Sequence, residues 1–340
     1  MSESLPQAAI SGPGVLDLSW LDDGVVITVN SNKGGVGKTT LVLMLAYYLV
    51  VLLEELGEDD FEILLVDWDP QCNLSTCLGF HMDGVDGRGR KDPETKKLIQ
   101  APLYSTDDIV TTATADCEPG WAAGMIEPIR WVVKGANGKP IRHAVTGEPQ
   151  PDPINRRIKL IPGHPDMEDR YTLVSQADFR FRLDHSLDGI KKRRIILVDT
   201  GPGMGPLVES AWAASDHIIG VAALYYNEME GVLKAKNKIR RSRKTLGRPA
   251  LEMDGIVVNE YSDKKTTQRG NLAQLIEALG AETVWVDQAV PDVEQIAQVV
   301  DQGKSFGRLS GGYGPKKKIN DAGMALARKV LEVVSARQRS

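Results

Sequence analysis

The stretch Ser31–Thr40, SNKGGVGKTT, decides the fold of this chain. It follows the apolar run Gly24–Val29 and precedes the apolar run Leu41–Ala46, which predicts a strand, a glycine-rich loop and a helix. The glycines let several backbone N–H groups point at one polyphosphate, and the positive N-terminal end of the helix adds to the attraction. In such a loop Lys38 reaches the β and γ phosphates and the Thr39 hydroxyl ligates Mg²⁺. The stretch therefore predicts a nucleoside triphosphate site.

The loop departs from the ordinary phosphate-binding pattern at its start. Asn32 stands where the first glycine normally occurs, and Lys33 adds a second lysine. This is the deviant Walker A sequence, and with it the chain resembles the ParA and MinD family of ATPases. The resemblance implies that two subunits enclose two ATP molecules, that Lys33 crosses to the partner's nucleotide, and that Lys33 and Lys38 act in catalysis. It implies the nucleotide-binding set Lys33, Gly34, Gly35, Val36, Gly37, Lys38, Thr39 and Thr40.

Aspartates follow two later apolar runs, FEILLV before Asp67 and Asp69, and RIILV before Asp199. Open α/β sheets bind ligands at the carboxyl ends of their parallel strands, so these carboxylates are expected near the glycine-rich loop. A buried strand ending in Asp199 is the Walker B arrangement, in which the carboxylate holds Mg²⁺ through its water shell. The resemblance implies that Asp69 orients the attacking water, and that Asp67 supports its loop. The predicted metal residues are Thr39, Asp69 and Asp199.

Three positions near these motifs differ from the family pattern. Trp68 and Cys72 stand where an aliphatic residue and a glycine are expected. Gly201 replaces the first of two prolines in the turn after Asp199, the segment called switch II in the family. We expect this replacement to loosen the turn and to leave the role of Asp199 unchanged.

A further predicted strand, 252–259, ends in Asn259. The resemblance implies that the Asn259 amide, which can donate and accept at once, recognises the adenine edge. It also implies that 285–292 contains the next strand and the loop that covers the base, which adds Pro291 and Asp292 to the nucleotide-binding set. Many ParA proteins have arginine after this proline, and Asp292 is more like the MinD relatives.

The segment from about Val232 to Leu246 predicts a helix whose apolar residues share one face. Its other positions carry a basic run that nothing nearby in the sequence offsets: Lys234, Lys236, Lys238, Arg240, Arg241, Arg243 and Lys244. In a chain of net charge −5 this is the densest positive patch. Duplex DNA is one partner for it, through phosphate contacts, and a solvated helix face is the other interpretation. The predicted DNA contacts are Lys234, Lys238, Arg240, Arg241, Lys244, Lys264 and Lys265.

Length and composition fit one large domain. The chain has 340 residues, 42% of them hydrophobic and 26% charged, which are ordinary globular values. We predict an α/β fold with a mostly parallel central sheet flanked by helices on both faces. Residues 1–23 are predicted as a leader and 24–340 as a single ATPase domain with an insertion at about 80–157. The final helix, from about 320 to 337, is expected to pack on the core, and no stable membrane insertion is expected.

The resemblance implies a slow, Mg²⁺-dependent, partner-stimulated ATPase that dimerises on ATP. Such a protein would bind DNA without sequence preference and, with a ParB-like activator, segregate a plasmid, chromosome or other cargo in the cytoplasm, on the nucleoid. One alternative is a MinD-like positioning ATPase acting on a membrane or a protein cargo. Another is a redox relative of the nitrogenase iron protein, but Cys72, Cys77 and Cys117 do not match the cluster-ligand positions of that family.

Overall fold

Eight strands form one sheet in the computed structural model, which describes residues 16–80, 104–134, 139–144, 146–309 and 311–338. The strands are β1 (Val25–Asn30), β2 (Glu62–Trp68), β3 (Glu127–Pro128), β4 (Ile158–Ile161), β5 (Arg194–Thr200), β6 (His217–Ala223), β7 (Met253–Asn259) and β8 (Val284–Trp285). Their order in the sheet is β3-β4-β2-β5-β1-β6-β7-β8. Every neighbouring pair is parallel except β3 and β4, which are antiparallel.

Helices cover the sheet. They are α1 (Lys38–Glu55), α2 (Asn73–Cys77), α3 (Thr106–Thr111), α4 (Arg182–Leu187), α5 (Pro206–Ala214), α6 (Tyr226–Ser242), α7 (Thr266–Leu279), α8 (Glu294–Asp301) and α9 (Tyr313–Gln338). Shorter 3₁₀ segments span Ser19–Asp22, Thr114–Asp116, Trp121–Met125, Pro153–Arg156, Pro165–Ser175, Phe179–Phe181 and Phe306–Arg308. Among the described residues, no helix combines the length and the apolar character that crossing a bilayer requires.

The central strand β1 shows why both faces are covered. All six of its residues are buried, as expected for a parallel strand with helices on either side. Val25, Ile27 and Val29 pack in the cluster that contains α1 and α9. Val26 packs on the opposite face, with α4 and α5. The predicted α/β fold class, with a mostly parallel sheet between two helical layers, is confirmed.

Two helices have boundaries that differ from the sequence prediction. Helix α6 begins at Tyr226, six residues before the expected start, and ends at Ser242, so buried Leu246 lies beyond its end. Gly231 lies inside α6, where a Cβ would approach the Asn32 Cβ to 3.0 Å, so this glycine allows close packing. Helix α9 begins at Tyr313, before the expected Asn320. It packs on α1, as the core-packing interpretation requires.

Parts of the predicted insertion and leader contribute to the core. Trp131 is buried and its indole donates to the Cys77 carbonyl at 3.0 Å. Trp20 is buried and its indole donates to the Ser335 hydroxyl of α9 at 3.1 Å. Residues 1–15 of the leader and residues 81–103, 135–138 and 145 of the insertion lie outside the described residues. The division into leader, domain and insertion stays a prediction.

Candidate nucleotide-binding site

The glycine-rich loop joins β1 to α1 in a conformation that needs glycine. Gly37 has a φ of +87° and is the residue immediately before the first turn of α1. A Cβ at this position would lie 2.1 Å from the Asn259 amide nitrogen, so both the backbone conformation and the space exclude a side chain. The loop therefore presents its backbone at the N-terminus of an 18-residue helix, where N–H groups and the helix dipole attract anions.

Lys38, the first residue of α1, is buried against its own loop. Its ammonium donates to the Ser31 hydroxyl at 3.1 Å and to the Lys33 carbonyl at 3.4 Å. Burial lowers the pKa of Lys38, and the nearby Asp199 and Asp69 carboxylates act in the opposite direction. Sequence reasoning did not select Ser31, although its position just before the loop was a signal that a side chain there could contact Lys38.

Thr39 and Asp199 are joined directly. The Thr39 hydroxyl donates to Asp199 Oδ2 at 2.6 Å. Asp199 is fully buried, and its second oxygen, Oδ1, has no hydrogen-bond partner among the described residues. Burial, then repulsion from Asp67, raises the pKa of Asp199 to about 8. An unpartnered carboxylate oxygen beside a hydroxyl is an oxygen donor set of the kind that Mg²⁺ prefers, so these residues fit the metal that the fold implies.

Asp67 lies opposite Asp199 in the register of β2 and β5. It accepts hydrogen bonds from the Ser75 backbone N–H at 2.8 Å and from the Ser75 hydroxyl at 2.6 Å. Its burial raises its pKa to about 7. These bonds attach α2 to the end of β2, which is the supporting role expected for Asp67. Ser75 itself was not among the predicted site residues, and its place in a five-residue helix gave no signal.

Asp69 follows the same strand and is nearly buried, with 6% of its surface exposed. Its Oδ1 accepts the Gln71 backbone N–H at 3.0 Å. A Cβ on Gly201 would lie 3.3 Å from the same oxygen, which brings Asp69 against the switch II turn. The structure therefore places the carboxylates of Asp67, Asp69 and Asp199 in one group beside Lys38, close enough to influence its pKa or one another's.

Cys72 has a φ of +52°, in the left-handed region that favours glycine. Its backbone N–H donates to the Asp69 carbonyl at 2.9 Å, and its carbonyl accepts from Thr76. The chain thus keeps at this position the backbone conformation that an expected glycine would adopt. The turn from β2 into α2 therefore holds a residue with a Cβ in a conformation that favours glycine.

Asn259 contacts the glycine-rich loop directly. Its side-chain amide donates to the Val36 carbonyl at 2.9 Å, and the residue is 3% exposed. Pro291, in the loop expected to cover the base, forms a parallel β-bridge with Tyr261, two residues after Asn259. Asn259 thus supports the loop backbone, and its expected contact with adenine stays a prediction.

Asp292 forms an ion pair with Lys265 at 2.5 Å. Lys265 was predicted as a DNA contact, and both side chains are about half exposed. Lys264 is exposed and shows no ion pair in the part of the chain that the structure describes. Of these two lysines, Lys265 already has a carboxylate partner.

The expectation that nothing nearby offsets the basic run of α6 is wrong. Three of its seven cations have acidic partners: Lys234 with Glu230 at 3.2 Å, Lys238 with Glu209 at 2.7 Å and Arg243 with Glu252 at 3.1 Å. Glu230 lies one helical turn before Lys234 because α6 starts early. Glu209 and Glu252 belong to other segments, so their pairing with α6 could not be predicted from the sequence. Within the described residues no ion pair involves Arg240, Arg241 or Lys244.

A second polar group lies near α3. Candidate ligand atoms of Asp107, His164 and Asp166 lie within 4.8 Å of one another. Arg170 contacts Asp107 through two nitrogens, at 2.6 and 2.9 Å. Because the guanidinium neutralises this carboxylate, we assign no metal to the group.

The strand, loop and helix around Lys38, with the buried carboxylate of Asp199 beside Thr39, define a P-loop nucleotide-binding protein. A family model described as an AAA domain matches residues 24–253, more than half of the chain, and the chain belongs to this family, among the ParA and MinD ATPases. The family resemblance seen in the sequence is confirmed.

Similar proteins and structures support this assignment. The chromosome partitioning protein ParA of Myxococcus xanthus is 25% identical over 317 residues, which are 92% of this chain and 90% of that protein. The ATP complex of a Cyanothece McdA variant has a TM-score of 0.60 at 15% identity, covering 89% of this chain and 96% of that one. MinD of Pyrococcus horikoshii, complexed with Mg-ADP, has a TM-score of 0.55 at 18% identity, covering 90% and 95%. The two structures establish a shared fold.

Proposed function

We propose that this chain is a ParA-type positioning ATPase that binds ATP and Mg²⁺ at the loop 33–40. One observation carries the proposal. Thr39 holds one oxygen of the buried Asp199, and the other oxygen is left without a partner next to Lys38. A buried carboxylate of this kind is costly unless a cation or donor meets it. The ATP and Mg-ADP complexes of the structural neighbours support the same choice of ligands.

The residues divide the work of phosphoryl transfer to water. Mg²⁺, held by Thr39 and Asp199, would neutralise charge on the β and γ phosphates. The Lys38 ammonium donates to the Ser31 hydroxyl and the Lys33 carbonyl, which are neutral acceptors. A phosphate oxygen would replace them, because a charged acceptor binds an ammonium more strongly. Asp69, held against the switch II turn, would orient the attacking water.

Dimerisation on ATP is the second part of the proposal. Lys33, Gly34 and Gly35 are exposed at the carboxyl edge of the sheet, so a second copy could approach the loop there. Lys33 would then contact the partner's phosphates. Because each subunit's Lys33 would contact the other subunit's nucleotide, hydrolysis would require the dimer. A partner protein that acts on the dimer could then stimulate hydrolysis.

Non-specific DNA binding is the third part. Arg240, Arg241 and Lys244 are exposed on α6 or just beyond its end and can meet backbone phosphates without reading bases. The relative from Myxococcus xanthus is a chromosome partitioning protein. We therefore propose a cytoplasmic, nucleoid-associated protein that moves a plasmid, chromosome or other cargo together with a ParB-like activator.

Binding to a random-sequence duplex, measured with ATP, with ADP and without nucleotide, tests this function. We expect tight binding with ATP alone, weakening steeply as salt is added, because released counterions drive phosphate contacts. The Lys38→Ala variant is expected to lose the ATP effect. Equal binding in all three nucleotide states, or none in any, would refute the DNA-carrier function while leaving the nucleotide site to be tested by ATP binding.

A MinD-like function is the second candidate, and the Lys265–Asp292 pair favours it, because a carboxylate there opposes phosphate contacts. The final helix gives it no support: Val330 and Val334 of α9 are 2% and 1% exposed, so its apolar face is used in the core. Recruitment to anionic vesicles by ATP would favour this candidate over a DNA carrier.

A further inference from the structure

Lys238 joins the basic helix α6 to the loop that follows the β5 carboxylate. Its ammonium lies 2.7 Å from Oε1 of Glu209, which is in the first turn of α5. It also donates to the backbone carbonyl of Met204. Met204 belongs to the segment 201–205 between β5 and α5, which we call the switch II loop. One side chain therefore links α6, α5 and this loop.

Glu209 pairs with two basic side chains, Lys238 and Arg180. It is 13% exposed, and its other oxygen lies 3.3 Å from Nε of Arg180. The side chain of Lys238 is 36% exposed, so water screens the pair in part. Partly exposed ion pairs are weak, and a small movement of one element can break them. The contact is thus strong enough to orient Lys238 and weak enough to be reversible.

Lys238 also borders the exposed basic face of its helix. It lies four residues after Lys234 and three before Arg241, a spacing that puts the three side chains on one stripe. Lys234 and Arg241 are exposed, whereas Lys238 is at the edge next to α5. While Glu209 and Met204 hold its ammonium, the Lys238 charge is neutralised and directed away from a ligand on that stripe.

We propose that Lys238 couples the nucleotide state to the affinity of α6 for a polyanion. The switch II loop begins two residues after Asp199, at the nucleotide site. Loops in this position rearrange when a γ-phosphate and its Mg²⁺ arrive. Such a rearrangement moves Met204 and α5, releases the Lys238 ammonium and adds one cation beside Arg241. The identity of the polyanion as DNA rests on the proposed function, and the release of Lys238 does not.

Amine labelling of the full chain, read at each lysine by mass spectrometry, tests the release directly. Without nucleotide, Glu209→Gln is expected to raise the labelling rate of Lys238 roughly two- to fivefold, the range set by a partly exposed pair. Mg-ATP is expected to raise it in the wild-type protein. Glu252→Gln is the matched control, since it removes the partner of Arg243 on the same helix and should leave Lys238 unchanged. Failure of either expected increase would overturn the proposal.

Duplex binding by the same two variants tests the consequence. Both remove one negative charge beside α6, but only Glu209 contacts the lysine bound to the switch II loop. Glu209→Gln should raise nucleotide-free affinity roughly two- to fivefold and leave the ATP-bound affinity nearly unchanged, whereas Glu252→Gln should shift both states by one factor. Equal shifts in both variants would overturn the coupling. A wild-type protein that binds no duplex in any state would instead refute the DNA function, and the labelling result would still decide the release.

Discussion

The side-chain amide of Asn259 donates a hydrogen bond to the Val36 carbonyl, and the 2.9 Å contact ties the end of β7 to the glycine-rich loop. The two residues are 223 positions apart in the sequence. The loop after β1 is thereby fixed by β7, which is separated from β1 by β6 in the sheet. Its conformation depends on that strand as well as on its own glycines.

Replacing Asn259 by alanine should weaken nucleotide binding. Loss of the bond leaves the buried Val36 carbonyl unpaired, which costs about 1–3 kcal/mol, or roughly 5- to 150-fold in affinity if the loop can order only with nucleotide bound. Titration with a fluorescent ATP analogue measures the change. Asn271→Ala is the control, because Asn271 makes a similar bond to the Leu224 carbonyl at 2.8 Å. Equal losses in both variants would mean a general effect on stability.

The raised pKa values of Asp199 and Asp67 predict how stability varies with pH in the absence of ligands. The folded protein keeps protons that the unfolded chain has lost, so the free energy of unfolding should fall as pH rises from the usual aspartate range to about 8. Urea unfolding between pH 5 and 8 measures the slope. Asp199→Asn should flatten it, most clearly above the pKa of Asp67, about 7. A slope unchanged by this substitution would contradict the burial argument.

Magnesium should reverse that dependence. The metal needs the ionised carboxylate and a proton competes with it, so we expect stabilisation by Mg-ADP to be larger at pH 8.5 than at pH 6.5. Thermal unfolding with Mg-ADP, and with ADP plus a chelator, separates the metal effect from nucleotide binding. Asp199→Asn should lose most of the metal-dependent increment at both values. An increment of equal size at the two pH values would place the metal on other ligands.

Cys72 gives a test of backbone conformation. At a φ of +52° glycine has no steric penalty, whereas a residue with a Cβ costs about 1–2 kcal/mol. We therefore expect Cys72→Gly to be more stable than Cys72→Ala, by about 1 kcal/mol in urea unfolding. Cys77, the last residue of α2, has no positive φ, so Cys77→Gly should not be more stable than Cys77→Ala. The same order at both positions would show that φ does not decide the outcome.

Trp20 tests whether the predicted leader belongs to the folded unit. It is 3% exposed and bonded to Ser335, so Trp20→Ala should destabilise the protein by about 3–5 kcal/mol. Trp20→Phe loses the bond and part of the indole packing, so a smaller loss of about 1–2 kcal/mol is expected. Chemical denaturation of both variants measures the difference. Changes below about 0.5 kcal/mol for the alanine variant would show a leader that packs loosely.

The parts of the site that sequence could predict are those set by neighbouring residues. The loop around Lys38 and the strand end at Asp199 are contiguous motifs, and parallel strands bring them to one edge of the sheet. Their positions follow from the local sequence motifs and from the rule that the carboxyl ends of parallel strands lie at one edge of the sheet. The Asn259–Val36 bond could not be predicted in this way, because it depends on how β7 is placed beside β6.

The charge of α6 illustrates the same limit. Glu209 pairs with Lys238 and Glu252 pairs with Arg243 through tertiary contacts. The spacing of these residues in the sequence does not predict either pair. The pairing of Lys234 with Glu230 is local, but the helix start was expected at the wrong residue. Glycine is a poor helix former, which favours a helix that starts after Gly231, and tertiary packing against Asn32 overrides that preference.

The bond between Trp20 and Ser335 has a practical consequence for handling the protein. Trp20 comes before β1, and Ser335 and Arg337 are at the end of α9; Arg337 donates to the Asp216 carbonyl, just before β6 starts. Both described chain ends thus meet at the amino edge of the sheet, opposite Lys38. A fluorescent fusion or a surface tether joined directly at Leu16 or Gln338 would be attached on the side of the sheet away from the phosphate loop. A short linker could also join the ends in a circular permutant opened elsewhere.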